Sequence, residues 1–241
     1  MIFLFTDYGL KGPYIGQVKT VLHQLVPGEK VINLMADAPR NNPKASAYLL
    51  ASLIHQIPKE SILFCVVDPG VGSDKDKPVI FNIDERWFIG PDNGLFDIVV
   101  RQAKEKESWE ITWKPEELSN SFHGRDLYAT VSAMLANGEV VPGNKINWHD
   151  KHQWPDDLYE IIYIDHFGNC MTGIRAEKFN KQSELKINGK VIINAYTFSD
   201  VSSGKVFWYE NSNGLLEIAI NQGSAEETLH LKLGDQIQII P

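Results

Sequence analysis

Ile62-Leu63-Phe64-Cys65-Val66-Val67, running straight into Asp68-Pro69-Gly70-Val71-Gly72-Ser73, is the stretch whose reading decides the fold. Six consecutive β-favouring apolar residues leave no polar face, the pattern of a strand covered on both sides, as in the parallel sheets of α/β proteins. The run stops in Asp, Pro and Gly, which puts a polar turn at the carboxyl end of that strand, where α/β sheets hold their ligands. Upstream, residues 2–6 and 30–35 read as further strands. Between them, residues 14–25 carry Ile15, Val18, Leu22 and Leu25 at helical spacing, and Pro43 opens a helix that residues 45–57 continue. Downstream, residues 79–83 and 87–89 flank Asp84-Glu85 as a hairpin, and residues 95–103 and 126–136 read as helices. The fold class is therefore α/β, with an N-terminal α/β layered domain around a central, mostly parallel sheet over residues 1–150.

From Asn144 the character changes. NKINWHDKHQWPDD, residues 144–157, is polar and reads as a linker. Beyond it lie short β-rich runs at 159–165, 171–174, 185–187, 191–196, 206–210, 215–220 and 236–240. Asn188-Gly189, Ser203-Gly204, Asn213-Gly214 and Gly234-Asp235 separate them as turns. Residues 158–241 are expected to form a smaller all-β domain, a barrel or a sandwich.

The charge excludes one large class of partner. Residues 1–150 carry 15 Lys/Arg against 19 Asp/Glu and residues 151–241 carry 8 against 12, so neither part offers the basic face that nucleic-acid binding needs. Cys65 and Cys170 share no metal or redox spacing and sit in apolar runs, as buried thiols of a reducing, cytoplasmic protein. The apolar start MIFLFTDYG lacks a basic n-region and reads as a first strand, not a signal peptide. No apolar stretch approaches the roughly 20 residues that span a bilayer.

Four apolar runs end in polar, glycine-containing turns: Thr6-Asp7-Tyr8-Gly9, the Asp68 turn, Gly90-Pro91-Asp92-Asn93-Gly94, and Phe122-His123-Gly124-Arg125-Asp126. Any one of these aspartates serves well as a cap or turn residue, because its side chain bonds nearby N–H groups. Asp7 and Asp68 best fit the carboxyl ends of strands. His123 supplies the side chain best matched to proton transfer near neutral pH, beside the cation Arg125 and the anion Asp126. In the β-rich part, Asp165-His166-Phe167-Gly168-Asn169 sets an acid, an aromatic face and an amide on one turn, a combination suited to a purine.

In this order and spacing, TDYG, VDPGVGS, GPDNGLF, FHGRD, DHFGN and NSNGLLEIA followed by GSAEE resemble the S-adenosyl-L-methionine hydroxide adenosyltransferases, adenosine-forming hydrolases related to the fluorinase and chlorinase. The resemblance runs from Thr6 to about Asp235. It implies an N-terminal α/β domain, a C-terminal β-barrel, and a homotrimer with active sites between one subunit's N-terminal domain and its neighbour's C-terminal domain, with no metal and no cofactor. It also implies a reaction in which activated water attacks the ribose C5′ of S-adenosylmethionine and expels methionine.

Carried over by position, the resemblance gives Asp7 to the ribose diol, and Asp68 and His123 to a triad around the attacking water. The third member is an arginine in the family. Here the segment reads Ser73-Asp74-Lys75-Asp76-Lys77-Pro78, so Lys75 or Lys77 takes its place, with Lys75 favoured. Gly12 stands where the family commonly has an aspartate that meets the methionine part. Asp165 corresponds to the acid for the methionine amino group, with Ser212 beside it and Asn213 replacing an arginine of the fluorinase. Phe167 and Phe198 would flank the adenine, while Asn169 and the backbone at Ser224 and Ala225 would read its edge. His123 stands where the halogenases have tyrosine, which points to water as the nucleophile. Two other readings stay open from the residues alone: a member that binds adenosine or S-adenosylmethionine without turnover, and a phosphoester hydrolase holding Mg²⁺ or Mn²⁺ on Asp7, Asp68, Asp92 and His123.

Overall fold

The computed structural model describes residues 1–73 and 75–240. They form two compact units, Met1–Gln153 and Trp154–Pro241.

The first unit is built on β1 (Ile2–Thr6), α1 (Tyr14–Leu25), β2 (Val31–Met35), α2 (Pro43–Leu53), β3 (Ile62–Val66), β4 (Pro78–Ile83), β5 (Arg86–Pro91), α3 (Asp97–Gln102), β6 (Lys106–Ile111), α4 (Ala129–Ala136) and β7 (Gly143–Lys145). Its seven strands run in the order β2-β1-β3-β5-β4-β6-β7. The first four are mutually parallel, and β4, β6 and β7 extend them as an antiparallel wing. Every residue of β1 and β3 is buried, as their unbroken apolar runs require. α1 turns Val18 and Leu22 inward, where they join Leu4, Phe64, Ile89 and Val131 in one core. α2 starts where Pro43 predicts, with Asn42 Oδ1 accepting the Ala45 N–H at 3.0 Å as a cap. The Asp84-Glu85 hairpin has positive φ at both residues, 46° and 66°, the conformation of a type I′ turn.

Three expectations change. The helix expected over 95–103 is confined to Asp97–Gln102, and that over 126–136 begins as an α-helix only at Ala129, after a π-helical turn over Gly124–Tyr128. The polar stretch expected as a linker is bound to the first unit as far as Gln153. Gly143–Lys145 is an edge strand on β6, Trp148 Nε1 donates to Asp92 Oδ1 at 2.8 Å, and Lys151 pairs with the same carboxylate. His152 Nδ1 meets Asp97 Oδ2 at 2.8 Å, and Arg101 pairs with Asp150.

The second unit holds β8 (Leu158–Ile164), β9 (Cys170–Arg175), β10 (Glu184–Ile187), β11 (Lys190–Ile192), β12 (Val206–Glu210), β13 (Leu215–Ile220), α5 (Ala225–Leu229) and β14 (Gln238–Ile240). They form antiparallel sheets of order β12-β13-β9-β8 and β11-β10-β14. Isolated bridges, Glu160 with Gln236 and Asn194 with Trp208, join the two sheets at both margins, so the strands close on themselves around a core that includes Ile161, Ile174, Trp208 and Ile218. Among the described residues no helix is long and apolar enough to cross a membrane.

Candidate active site

The register of the parallel strands builds the first cavity. β1 and β3 lie side by side with Thr6 opposite Val66, so Asp7 and Asp68 leave the sheet from adjacent strand ends. There they line a cavity of about 650 Å³ together with Tyr8, Arg40, His123 and Arg125. This is the crevice position expected of a parallel sheet. Asp7 Oδ2 accepts the Asn41 N–H at 2.9 Å, and Asp68 Oδ1 accepts the Gly70 N–H at 3.0 Å.

Both carboxyls are held above the ordinary carboxylate range. For Asp7 the cause is burial, opposed by the Asn41 N–H and the charge of Arg40. For Asp68 it is again burial, reinforced by Asp76 and Asp7 and opposed by the Gly70 N–H and His123. Partly desolvated carboxylates of this kind are suited to accept protons. His123 stands just before the π-helical turn, whose first residue, Gly124, is buried against Tyr8.

Arg125 and Asp126 do not serve His123 in the way their sequence proximity suggests. They close on each other through two hydrogen bonds, 2.6 and 3.0 Å, and this pairing holds the Asp126 carboxyl below its ordinary value. Lys77 turns away to Glu110, at 2.7 and 2.9 Å. Lys75 is exposed and is not among the described residues lining the cavity, and its neighbour Asp74 lies outside the described residues. The cations that do line it are Arg40 and Arg125.

The second cavity, about 740 Å³, lies on the β unit. Asp165, Phe167, Asn169, Phe198 and Ser212 line it, while Asn213, Ser224 and Ala225 are not among its described lining residues. Asp165 organises its own turn: Oδ1 accepts the N–H groups of Phe167 and Asn169, each at 2.9 Å, and Oδ2 accepts from Asn169 Nδ2 at 3.0 Å. That turn leaves Phe167 projecting, 74% exposed, as an open aromatic face. Phe198 is anchored edge-on to Phe207 and Tyr209. Ser224 is occupied as the cap of α5, its Oγ accepting the Glu227 N–H at 3.0 Å, and Ala225 is fully buried.

The sequence matches the family models described as SAM hydroxide adenosyltransferase N-terminal domain, over residues 2–144, and SAM hydroxide adenosyltransferase C-terminal domain, over residues 159–238. The chain belongs to the SAM hydroxide adenosyltransferase family. Two curated relatives, from Thermus thermophilus and Methanocaldococcus jannaschii, are each named (R)-S-adenosyl-L-methionine hydrolase and are 30% identical to it. The alignments cover 99% of this chain and 99% of the first relative, and 100% of this chain and 95% of the second. A crystal structure of an uncharacterized conserved protein from Thermotoga maritima superposes with a TM-score of 0.91 at 28% identity, covering 100% of both chains.

Several residues of the two cavities carry no readable signal in the sequence. Arg40 and Asn41 come from the turn before α2 and reach Asp7 only through folding. Glu217 is a charge inside the apolar run of β13, yet it is buried and lines the second cavity. Burial pushes its carboxyl up, and hydrogen bonds from Tyr209 and Asn211 pull it down. The metal reading fails on Asp92, which is taken by Trp148 and Lys151 and is not among the described residues lining the cavity with Asp7 and Asp68.

Proposed function

We propose that this protein hydrolyses (R)-S-adenosyl-L-methionine to adenosine and L-methionine. The observation that carries the reading is the convergence of Asp7, Asp68 and His123 on one cavity at the carboxyl ends of β1 and β3. The activity for which relatives aligned over nearly the full chain are named supports it.

The chemistry asks little of an acid. A sulfonium leaves as a neutral thioether, so catalysis rests on holding water in line with the C5′–S bond and on removing its proton. Asp68, with its raised carboxyl, is the proton acceptor, with His123 next to it around the water. Asp7 holds the ribose diol. In the second cavity, Phe167 and Phe198 flank the adenine, Asn169 reads its edge, and Asp165 with Ser212 meets the amino-acid part. Asn213 and the backbone at Ser224 and Ala225 border that subsite in this assignment. Arg40 and Arg125 line the cavity, and of the two lysines after the Asp68 turn we assign Lys75 the further positive charge near the water, since Lys77 is tied to Glu110. Lysine supplies one rotatable point charge where arginine gives a planar fork.

Each cavity holds only part of this inventory, which supports a homotrimer with sites completed between neighbouring subunits. Sedimentation velocity tests that assembly. The two buried free thiols support a cytoplasmic location. The function itself is tested by incubating the protein with S-adenosylmethionine and separating the products. Equal amounts of adenosine and methionine are expected, with turnover lost and adenosine binding kept in His123→Ala. Methylthioadenosine as product, or binding without turnover, would overturn the reading.

A further inference from the structure

The hydroxyl of Tyr8, a lining residue of the first cavity, has no task in the reaction proposed so far. The ring follows Asp7 out of β1 and is fixed by its neighbours. It meets Phe122 edge-on, with centroids 5.6 Å apart and planes at 73°, and lies 6.3 Å from the ring of Tyr14. The hydroxyl is thereby aimed at Gly124, where even a methyl group would overlap it. Glycine at 124 is what gives this phenol room beside His123.

Among the described residues the Tyr8 hydroxyl has no hydrogen-bond partner. Among the described residues the one fully enclosed side-chain polar atom in that condition is Ser61 Oγ, so the Tyr8 hydroxyl is not sealed in. Tyr8 lines the same cavity as Asp7, Asp68 and His123, and so does Gly124, against which its hydroxyl lies. We infer that Tyr8 is a further catalytic residue of this site, its phenol oxygen accepting a hydrogen bond from the attacking water and fixing the direction of that water's lone pair.

The inference rests on the hydrolase reading and adds a residue to it. One water proton is donated as a hydrogen bond to the Tyr8 oxygen and stays covalently on the water oxygen, which becomes the 5′-hydroxyl oxygen of adenosine. The other passes to the Asp68 carboxylate and on to solvent. The O–C5′ bond forms as the C5′–S bond breaks, and sulfur keeps the bonding pair, so the sulfonium charge leaves as the released proton. Burial, with the charges of Asp7 and Asp68, pushes the Tyr8 ionisation far up, so the phenol stays neutral and acts as a positioner and not as the base.

Steady-state kinetics of Tyr8→Phe on S-adenosylmethionine test this, with Tyr8→Leu and Gly124→Ala as companions. Tyr8→Phe keeps the ring contacts, so its kcat is expected to fall at least about tenfold, with KM within about twofold of wild type and the melting temperature unchanged. Gly124→Ala, which displaces the hydroxyl, is expected to cost less in the Tyr8→Phe background than in the wild type. Wild-type kcat in Tyr8→Phe, with loss only in Tyr8→Leu, would assign Tyr8 to packing and overturn the inference while leaving the hydrolase reading intact. A wild-type protein inactive on S-adenosylmethionine would overturn both.

Discussion

Tyr209 and Glu217 stand directly opposite each other on β12 and β13, and the phenol donates to the carboxylate at 2.5 Å. Asn211 Nδ2 donates to the other carboxylate oxygen at 2.8 Å, so one buried acid fixes two side chains of the second cavity. Glu217→Ala leaves both donors unpaired, at about 1–3 kcal/mol each. Chemical denaturation is expected to show a loss of about 3–5 kcal/mol, and calorimetry at least a tenfold loss of adenosine affinity. Glu217→Gln should come close to wild type on both, because its amide oxygen can accept from Asn211 while the Tyr209 hydroxyl turns to accept from its NH₂. Equal damage from the two variants would contradict this role.

Asp68 predicts a linked change in activity and stability. Its carboxyl is raised, chiefly by burial, so the acid limb of kcat/KM is expected to lie above the ordinary aspartate value of about 3.9. A folded-state value raised above the unfolded one gives stability that is complete at low pH and lost as pH rises through the folded value. Asp68→Asn, neutral throughout and still able to accept the Gly70 N–H, should therefore be inactive yet melt roughly 1–3 °C higher at pH 7. That gain should shrink to nothing near pH 3. Thermal melts at the two pH values check the sign.

The strands that lead to this site were legible because their composition matches their burial. β1 and β3 are buried on both faces and read as unbroken apolar runs, and β12 and β13 end where their turn residues stand. β6 escaped notice for the opposite reason. Its sequence, KESWEI, has little apolar period, and two of its charges are matched by ion pairs across the sheet, Glu107 with Lys145 and Glu110 with Lys77. The stretch after β7 looked like a linker because its polar residues find their partners, Asp92 and Asp97, more than fifty residues away. The same limit hid Arg40, and it makes Arg125 misleading, since the nearest acid in sequence captures it.

The two lysines that follow the Asp68 turn separate cleanly by experiment. Lys77 is committed to Glu110 on the strand wing, whereas Lys75 makes no ion pair among the described residues. Lys75→Ala is expected to lower kcat at least about tenfold on S-adenosylmethionine, and Lys75→Arg to retain or raise it. Lys77→Ala should stay within about twofold of wild type, as an exposed pair contributes little. Loss in Lys77→Ala alone would reverse the assignment.

Asp97 reports on the attachment of the segment after β7. Burial and the charge of Asp150 push its carboxyl up to about 6, while the hydrogen bond and charge of His152 pull it down. NMR of the side-chain carboxyl carbon is expected to show a midpoint near that value. Removing the opposing partner in His152→Ala should move the midpoint higher. A midpoint near the ordinary aspartate value of about 3.9 would mean that the segment does not cover this acid.

Attack of water on C5′ of the sulfonium substrate, at the cavity of Asp7, Asp68 and His123, leaves an isotopic record in the products. Turnover of S-adenosylmethionine in ¹⁸O-water, followed by mass spectrometry of both products, tests it most directly. One ¹⁸O atom is expected in the 5′-hydroxyl of adenosine and none in methionine. Label in the amino-acid product, with methylthioadenosine as its partner, would place the broken bond on the other side of sulfur and contradict the account.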